Sequence, residues 1–329
     1  MRDMERLLVV ENLSVGYRTY RGHSKVLDNV SFEVLKGEKV GIIGETGCGK
    51  TTLLRSVLRI LPPNALIYGG KVIFKGIDIL NSSHDSLNKL RRESIGIIFQ
   101  DPMSALNPFL KVRDQLYDAI KYSKLIEEHK GKSKDYLREL SINLLKEVAL
   151  PDPQRVLESY PFQLSGGMRQ RICIALALTR ANELLLADEP TTNLDVTIQE
   201  QVLNILRNLV EERKLSVILV SHALGMLSEF VDRIYVMYAG QMIESGRAEE
   251  IFFDPKHPYT RALVASAPKL IGKWEAEALF GRVPDYVNPP EGCRFQSRCP
   301  FVKEECRAMK PPLQKISETH WVACHIYGG

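Results

Sequence analysis

At 329 residues, with 44% apolar and 26% charged residues, the chain is long enough for one large domain plus an appendage and has ordinary globular proportions. A net charge of +4 spread over that length is too weak to argue for a nucleic-acid partner. No apolar run approaches the ~20 residues needed to span a bilayer, so the chain does not cross a membrane by itself.

The start, "MRDMERLLVVENLSVGY", lacks a small-residue cleavage site and alternates apolar with polar residues, so it reads as a first β-strand and not a signal peptide. Short apolar runs then alternate with helical segments, the pattern of an α/β fold with a largely parallel sheet. "KVGIIG" (39–44), "SIGIIFQ" (94–100), "ELLLADE" (183–189) and "SVILVSH" (216–222) read as buried strands that end at polar residues. Open α/β sheets bind ligands at such carboxyl ends. Between about 101 and 165 the period becomes helical, as in "YLRELSINLLKEVAL", and predicts a helical insertion. After about 254 the composition turns to proline-punctuated segments. The expected division is therefore 1–254 and 255–329.

The strongest chemical signal is "GETGCGKT", Gly44, Glu45, Thr46, Gly47, Cys48, Gly49, Lys50 and Thr51, which follows a predicted strand and opens a predicted helix. Its glycines let backbone N–H groups curl around phosphate oxygens at a helix N-terminus. Lys50 is expected to reach the β- and γ-phosphates and Thr51 to supply an oxygen to Mg²⁺, with Thr52 beside it. Cys48 takes a position where a small polar residue would serve. At the end of an apolar strand, "LLLADEP" offers Asp188 to hold Mg²⁺ and Glu189 to polarise an attacking water. Strand-end carboxylates are often plain helix caps, but the phosphate loop weighs against that here.

"LSGGMRQR" (164–171) resembles the signature of ABC-type ATPases, and six further motifs stand in that family's order. They are Tyr17, the loop at 44–51, Gln100, Asp188 with Glu189, "TTNLD" at 191–195, and His222. The resemblance implies a P-loop NTPase fold of ABC type, with a parallel core sheet, an antiparallel β subdomain, a helical subdomain at about 101–165 and a small C-terminal metal-binding extension. It implies adenine stacking on Tyr17, Mg²⁺ contact by Gln100, and catalysis by Glu189 and His222. It also implies a head-to-tail dimer with a dimer contact at Asp195, in which Ser165, Gly166 and Gly167 face the ATP of the partner subunit. Two departures, Met168 and Ala223, remove no phosphate-contacting group; the methionine is similar to the peptide and nickel importer branch.

"IFQDPMSALNPF" (98–109) and "HPYTRALVASAPKL" (257–270) are similar to ATPase subunits of oligopeptide and dipeptide importers. That resemblance implies a peripheral subunit on the cytoplasmic face of the cell membrane. Its implied partners are a second ATPase subunit, non-identical or identical, two transmembrane permease subunits and an extracytoplasmic solute-binding protein. An oligosaccharide or nickel cargo stays open, since an ATPase subunit never touches the cargo. A soluble, non-transport ABC ATPase is the competing class; such proteins usually carry two cassettes or a long coiled coil, and neither is present.

Four of the six cysteines, Cys293, Cys299, Cys306 and Cys324, lie in the tail with the spacing C-x5-C-x6-C-x17-C. That spacing lacks the C-x2-C knuckles of zinc ribbons, and three close thiols with a distant fourth suit a four-iron cluster. The importer resemblance implies a 4Fe-4S cluster; Zn²⁺, free thiols and disulfides are the alternatives. His320 and His325 flank Cys324 and read more plainly as packing residues. Cys173, in "RICIALAL", reads as a small core hydrophobe.

Overall fold

The computed structural model describes residues 5–123, 133–192, 194–221, 224–266 and 281–327. The chain divides into two units, Met1–Asn81 with Leu219–Gly329, and Ser82–Ile218.

The first unit opens with β1 (Arg6–Thr19), β2 (Gly22–Leu35), β3 (Lys39–Ile43), α1 (Lys50–Val57), β4 (Ala65–Phe74) and β5 (Ile77–Asp78). β1 pairs antiparallel with β2 on one side and β4 on the other, and β5 extends β4. Leu8 and Val10 are buried two positions apart, yet the next buried positions are Leu13 and Val15. A register shift between Val10 and Leu13 absorbs the extra residue. Asn12 sits there at φ 50, a left-handed conformation that asparagine tolerates, with its N–H donated to Ser31 Oγ at 2.8 Å. The bulge thus keeps one face of β1 apolar.

The second unit contains α2 (His84–Glu93), β6 (Ile95–Ile98), α3 (Pro102–Ala105), α4 (Val112–Lys121), α5 (Lys134–Glu147), α6 (Pro153–Glu158), α7 (Gly166–Leu178), β7 (Leu184–Asp188) and α8 (Val196–Arg213). Local chemistry sets several helix starts: Ser83 caps α2 on the Ser86 N–H, and Asp152 caps α6 on the Arg155 N–H ahead of Pro153. β6 and β7 pair in parallel, and every residue of β7 is buried, as expected of a strand covered on both faces. Gly96 lets α7 approach β6: a Cβ there would lie 2.4 Å from the Ala177 carbonyl oxygen. β8 (Ser216–Val220) spans the division.

The first unit resumes with α9 (Leu224–Leu227), β9 (Arg233–Tyr238), β10 (Gln241–Arg247), α10 (Ala248–Phe253), α11 (Pro258–Ala265), α12 (Glu304–Ala308), β11 (Gln314–Lys315) and β12 (Trp321–Val322). β9 runs parallel to β3 and turns into β10 through Ala239 and Gly240, both at positive φ, as a two-residue hairpin requires. β12 pairs antiparallel with β10, so the last residues of the chain cover what would be an open sheet edge. Among the described residues no helix is long and apolar enough to cross a membrane.

Candidate functional site

In the first unit the chain leaves β3 at Ile43 and enters α1 at Lys50. The loop between them needs its glycines: Gly44 and Gly49 have φ +154 and +108, and a Cβ on Gly44 would sit 2.1 Å from the Met237 carbonyl oxygen. The loop ends at the N-terminus of α1, where the helix dipole favours an anion. Lys50 Nζ donates to the carbonyls of Gly44 at 2.7 Å and Glu45 at 3.0 Å. Tyr17 and Thr52 share a hydrogen bond of 2.9 Å, which ties β1 to the same helix. Cys48 is buried against this loop, and burial raises its thiol pKa, so it packs as a thiol.

Three residues from beyond position 254 hold the loop from outside. The guanidinium of Arg298 donates to both carboxylate oxygens of Glu45, at 2.7 and 2.8 Å. Tyr259 Oη accepts the Glu45 N–H at 2.8 Å, and Tyr286 Oη donates to the Gly47 carbonyl at 2.7 Å. Arg294 donates to the Ala239 carbonyl and to Asp28, in the turn and strand that border the loop.

In the second unit Gln100 follows β6, and Asp188 and Glu189 close β7. Gln100 Nε2 donates to Glu189 Oε2 at 2.9 Å, and Thr192 Oγ1 donates to the same oxygen at 3.1 Å. Glu189 holds φ 47, a backbone region that residues with a Cβ avoid, and its carboxylate is buried between these donors. Holding a residue with a Cβ there costs on the order of 1 kcal/mol. Ser165 caps α7 on the Met168 N–H, and Gly166 and Gly167 form its first turn. A Cβ on Gly167 would stand 2.8 Å from Ile198 Cγ2, so helix packing requires the signature's second glycine. Asp195 is exposed at the start of α8. His222 and Asn193 lie outside the described residues.

The four tail cysteines line one small cavity, together with His257 and Phe295. The Cys293 N–H donates to the Cys306 carbonyl at 2.7 Å, closing the loop between them. Burial pushes the Cys293 thiol up to about 11, and the other three thiols add to the rise. None is in a disulfide. Among the described residues, however, no group of three or more His, Cys, Asp or Glu side chains is disposed to hold a metal ion. His320 is bonded instead to the Glu244 carboxylate at 2.7 Å, and His325 to the Met309 carbonyl at 2.9 Å, the packing roles the sequence favoured. Cys173 is buried in α7 and burial pushes its thiol up to about 12, in keeping with a core hydrophobe.

A model of ABC transporters matches residues 27–192, and a model of the C-terminal region of oligopeptide/dipeptide transporters matches residues 243–306. The dipeptide transport ATP-binding protein DppD of Bacillus subtilis is 43% identical over 98% of this chain and 95% of its own length. The chain belongs to the ABC transporter family. The oligopeptide transport ATP-binding protein OppD of the same organism is 39% identical, over 98% of this chain and 89% of its own. Among solved structures, the dimeric ATP-binding cassette MJ0796 in a post-hydrolysis state bound to ADP and Pi superposes with a TM-score of 0.65 at 28% identity, covering 74% of this chain and 99% of that one.

This ABC chain is accordingly an ATPase with the mixed α/β sheets of the ABC cassette. Sequence reading of the cassette missed Arg298, Tyr259 and Tyr286. Tyr259 stands in a stretch that marked the importer branch, but neither spacing nor periodicity signals that its hydroxyl meets a loop 214 positions earlier.

Proposed function

We propose that this ABC ATPase energises import of oligopeptides or dipeptides, working at the cytoplasmic face of the membrane. The observation that carries the reading is the joint match of a cassette model and an importer-specific C-terminal model on one chain, with identity to a dipeptide transport ATP-binding protein over almost the full length. Its partners in this reading are a second ATPase subunit, two permease subunits and a solute-binding protein. The segment after Gln100 supports permease docking: Met103, Phe109 and Leu110 are exposed apolar side chains, Phe109 at 87%.

In mechanism, the backbone amides of 44–51 and Lys50 hold the nucleotide phosphates, Tyr17 takes the adenine, and Thr51, Gln100 and Asp188 serve Mg²⁺. Glu189, fixed by Gln100 and Thr192, aligns the attacking water, so positioning and charge stabilisation lower the barrier to phosphoryl transfer. His222 assists at the γ-phosphate. Ser165, Gly166 and Gly167 serve the ATP of the partner subunit, and Asp195 lies in that dimer contact. Functionally the chain is divided into an ATPase part, 1–254, and an extension, 255–329.

For the tail we infer a 4Fe-4S cluster on Cys293, Cys299, Cys306 and Cys324. What supports this reading is that the four thiols line one cavity, a donor set that suits a four-iron cluster, with Zn²⁺ as the alternative. Its part here is to clip together a proline-rich module with little core of its own.

Reconstitution tests the main reading. The chain purified with its permeases in liposomes is expected to hydrolyse ATP faster when a peptide-loaded solute-binding protein is supplied outside. Co-purification with ribosomes or nucleic acid instead of permeases would refute it. Anaerobic preparation tests the tail: brown protein with equal iron and sulfide is expected, and colourless protein with one zinc per chain would defeat the cluster.

A further inference from the structure

We propose that Arg298 is a positioning residue for ATP binding: through its fork on Glu45 the C-terminal extension holds the phosphate loop in its receiving shape. The inference rests on the reading of 44–51 as the phosphate loop.

The loop is poorly able to hold that shape alone. Gly44, Gly47 and Gly49 all sit at positive φ, and the space where a Cβ of Gly47 would be is open. Glycine also loses the most conformational freedom on being fixed. The extension supplies restraint at three groups: the carboxylate of Glu45, the N–H of Glu45 and the carbonyl of Gly47. Glu45 is the junction, because its carbonyl accepts from Lys50 Nζ at 3.0 Å. What fixes Glu45 therefore fixes one of the two oxygens that aim the lysine.

Arg298 is itself held firmly. Its side chain is 3% exposed, its carbon centre lies 5.7 Å from the Tyr238 ring and 5.9 Å from the Phe295 ring, and it donates to Tyr238 Oη at 3.4 Å. A planar guanidinium on a carboxylate fixes direction as well as distance, which a lysine ammonium cannot do. Arg298 also immediately precedes Cys299, so the cysteine loop sets where the fork stands. A contact of this kind acts on affinity for the phosphates and not on the group that aligns water.

Titration of the full chain with fluorescent N-methylanthraniloyl-ATP and Mg²⁺ tests this. Arg298→Ala is expected to weaken binding about ten-fold, and Arg298→Lys to restore part of the loss. Arg298→Ala combined with Glu45→Ala should bind no worse than the weaker single variant, since both remove one pair. In the liposome-reconstituted transporter the KM for ATP should rise while kcat stays within about two-fold. A merely structural fork would lower the melting temperature and leave affinity unchanged, and that outcome, or additive single effects, overturns the proposal. If Arg298→Ala does not fold, Glu45→Gln breaks the same pair from the loop side, and wild-type affinity in that variant overturns it as well. Lys50→Ala separates the two readings: should it bind the nucleotide like wild type, the phosphate-loop reading fails first and takes this inference with it.

Discussion

The Arg294 guanidinium and the Asp28 carboxylate, 266 positions apart in sequence, meet at 3.2 Å with their side chains 2% and 3% exposed. Lys25 at 2.5 Å, Lys310 at 2.6 Å and Gln241 at 2.9 Å complete the set around the same carboxylate. The pair joins the cysteine-bearing loop to β2, the strand that flanks the loop at 44–51.

Asp28 should therefore be costly to neutralise. Burial alone would raise its pKa, but the bonds from Lys25 and Lys310 and the charge of Arg294 outweigh burial and hold it well below the usual carboxylate range. Its folded pKa lies below its unfolded value, so its contribution is complete above about pH 4 and is lost as pH falls further. Asp28→Asn is expected to destabilise the protein by about 3 kcal/mol in urea at pH 7, because a buried cation loses its partner. The difference between wild type and variant should shrink by about 1.4 kcal/mol per pH unit below pH 4. A constant difference down to pH 2 would contradict the assignment.

Glu189→Gln is expected to lower phosphate release at least about 100-fold while nucleotide binding stays within a few-fold, since the amide keeps the shape and loses the charge. Gln100→Ala removes one of the two donors on that carboxylate and should cost about ten-fold in kcat. Normal turnover in the Gln variant would end the role given to Glu189.

Gly167→Ala forces a methyl group against Ile198 and should reduce ATPase activity at least about ten-fold by shifting the first turn of α7. Ile198→Ala in the same chain vacates the space and is expected to recover most of the loss, the non-additivity that two contacting residues show. No recovery would mean that the glycine is needed for a reason other than packing.

Thiol labelling separates the cysteines by environment. At pH 8 a reagent that attacks thiolates should leave Cys48 and Cys173 unmodified until the protein is unfolded, because both are buried and burial raises both thiols. Rapid modification of Cys48 in the native chain would contradict its burial.

The elements that carry the chemistry were legible because their grammar is local. A strand followed by G-x-x-x-x-G-K-T, or an apolar run ending in Asp188 and Glu189, needs no partner from elsewhere to be recognised, and β3, β6, β7 and β8 lie where those runs predict. The hydrogen bond between Gln100 and Glu189 was not legible, since it joins the ends of two strands 89 positions apart. The same holds for Arg298, Tyr259 and Tyr286, which bear on the loop through chain closure that no spacing encodes. In the tail the four cysteines that the sequence groups line one cavity, whereas spacing leaves open what, if anything, they hold.

The left-handed backbone of Glu189 sets folding and turnover against each other. Glycine would suit that φ better, but Glu189→Gly also strips the Gln100 and Thr192 donors of their acceptor, so the relief of about 1 kcal/mol is offset while turnover is expected to be lost. On the proposed role of Glu189, the cost of that backbone conformation is carried for the placement of one carboxylate.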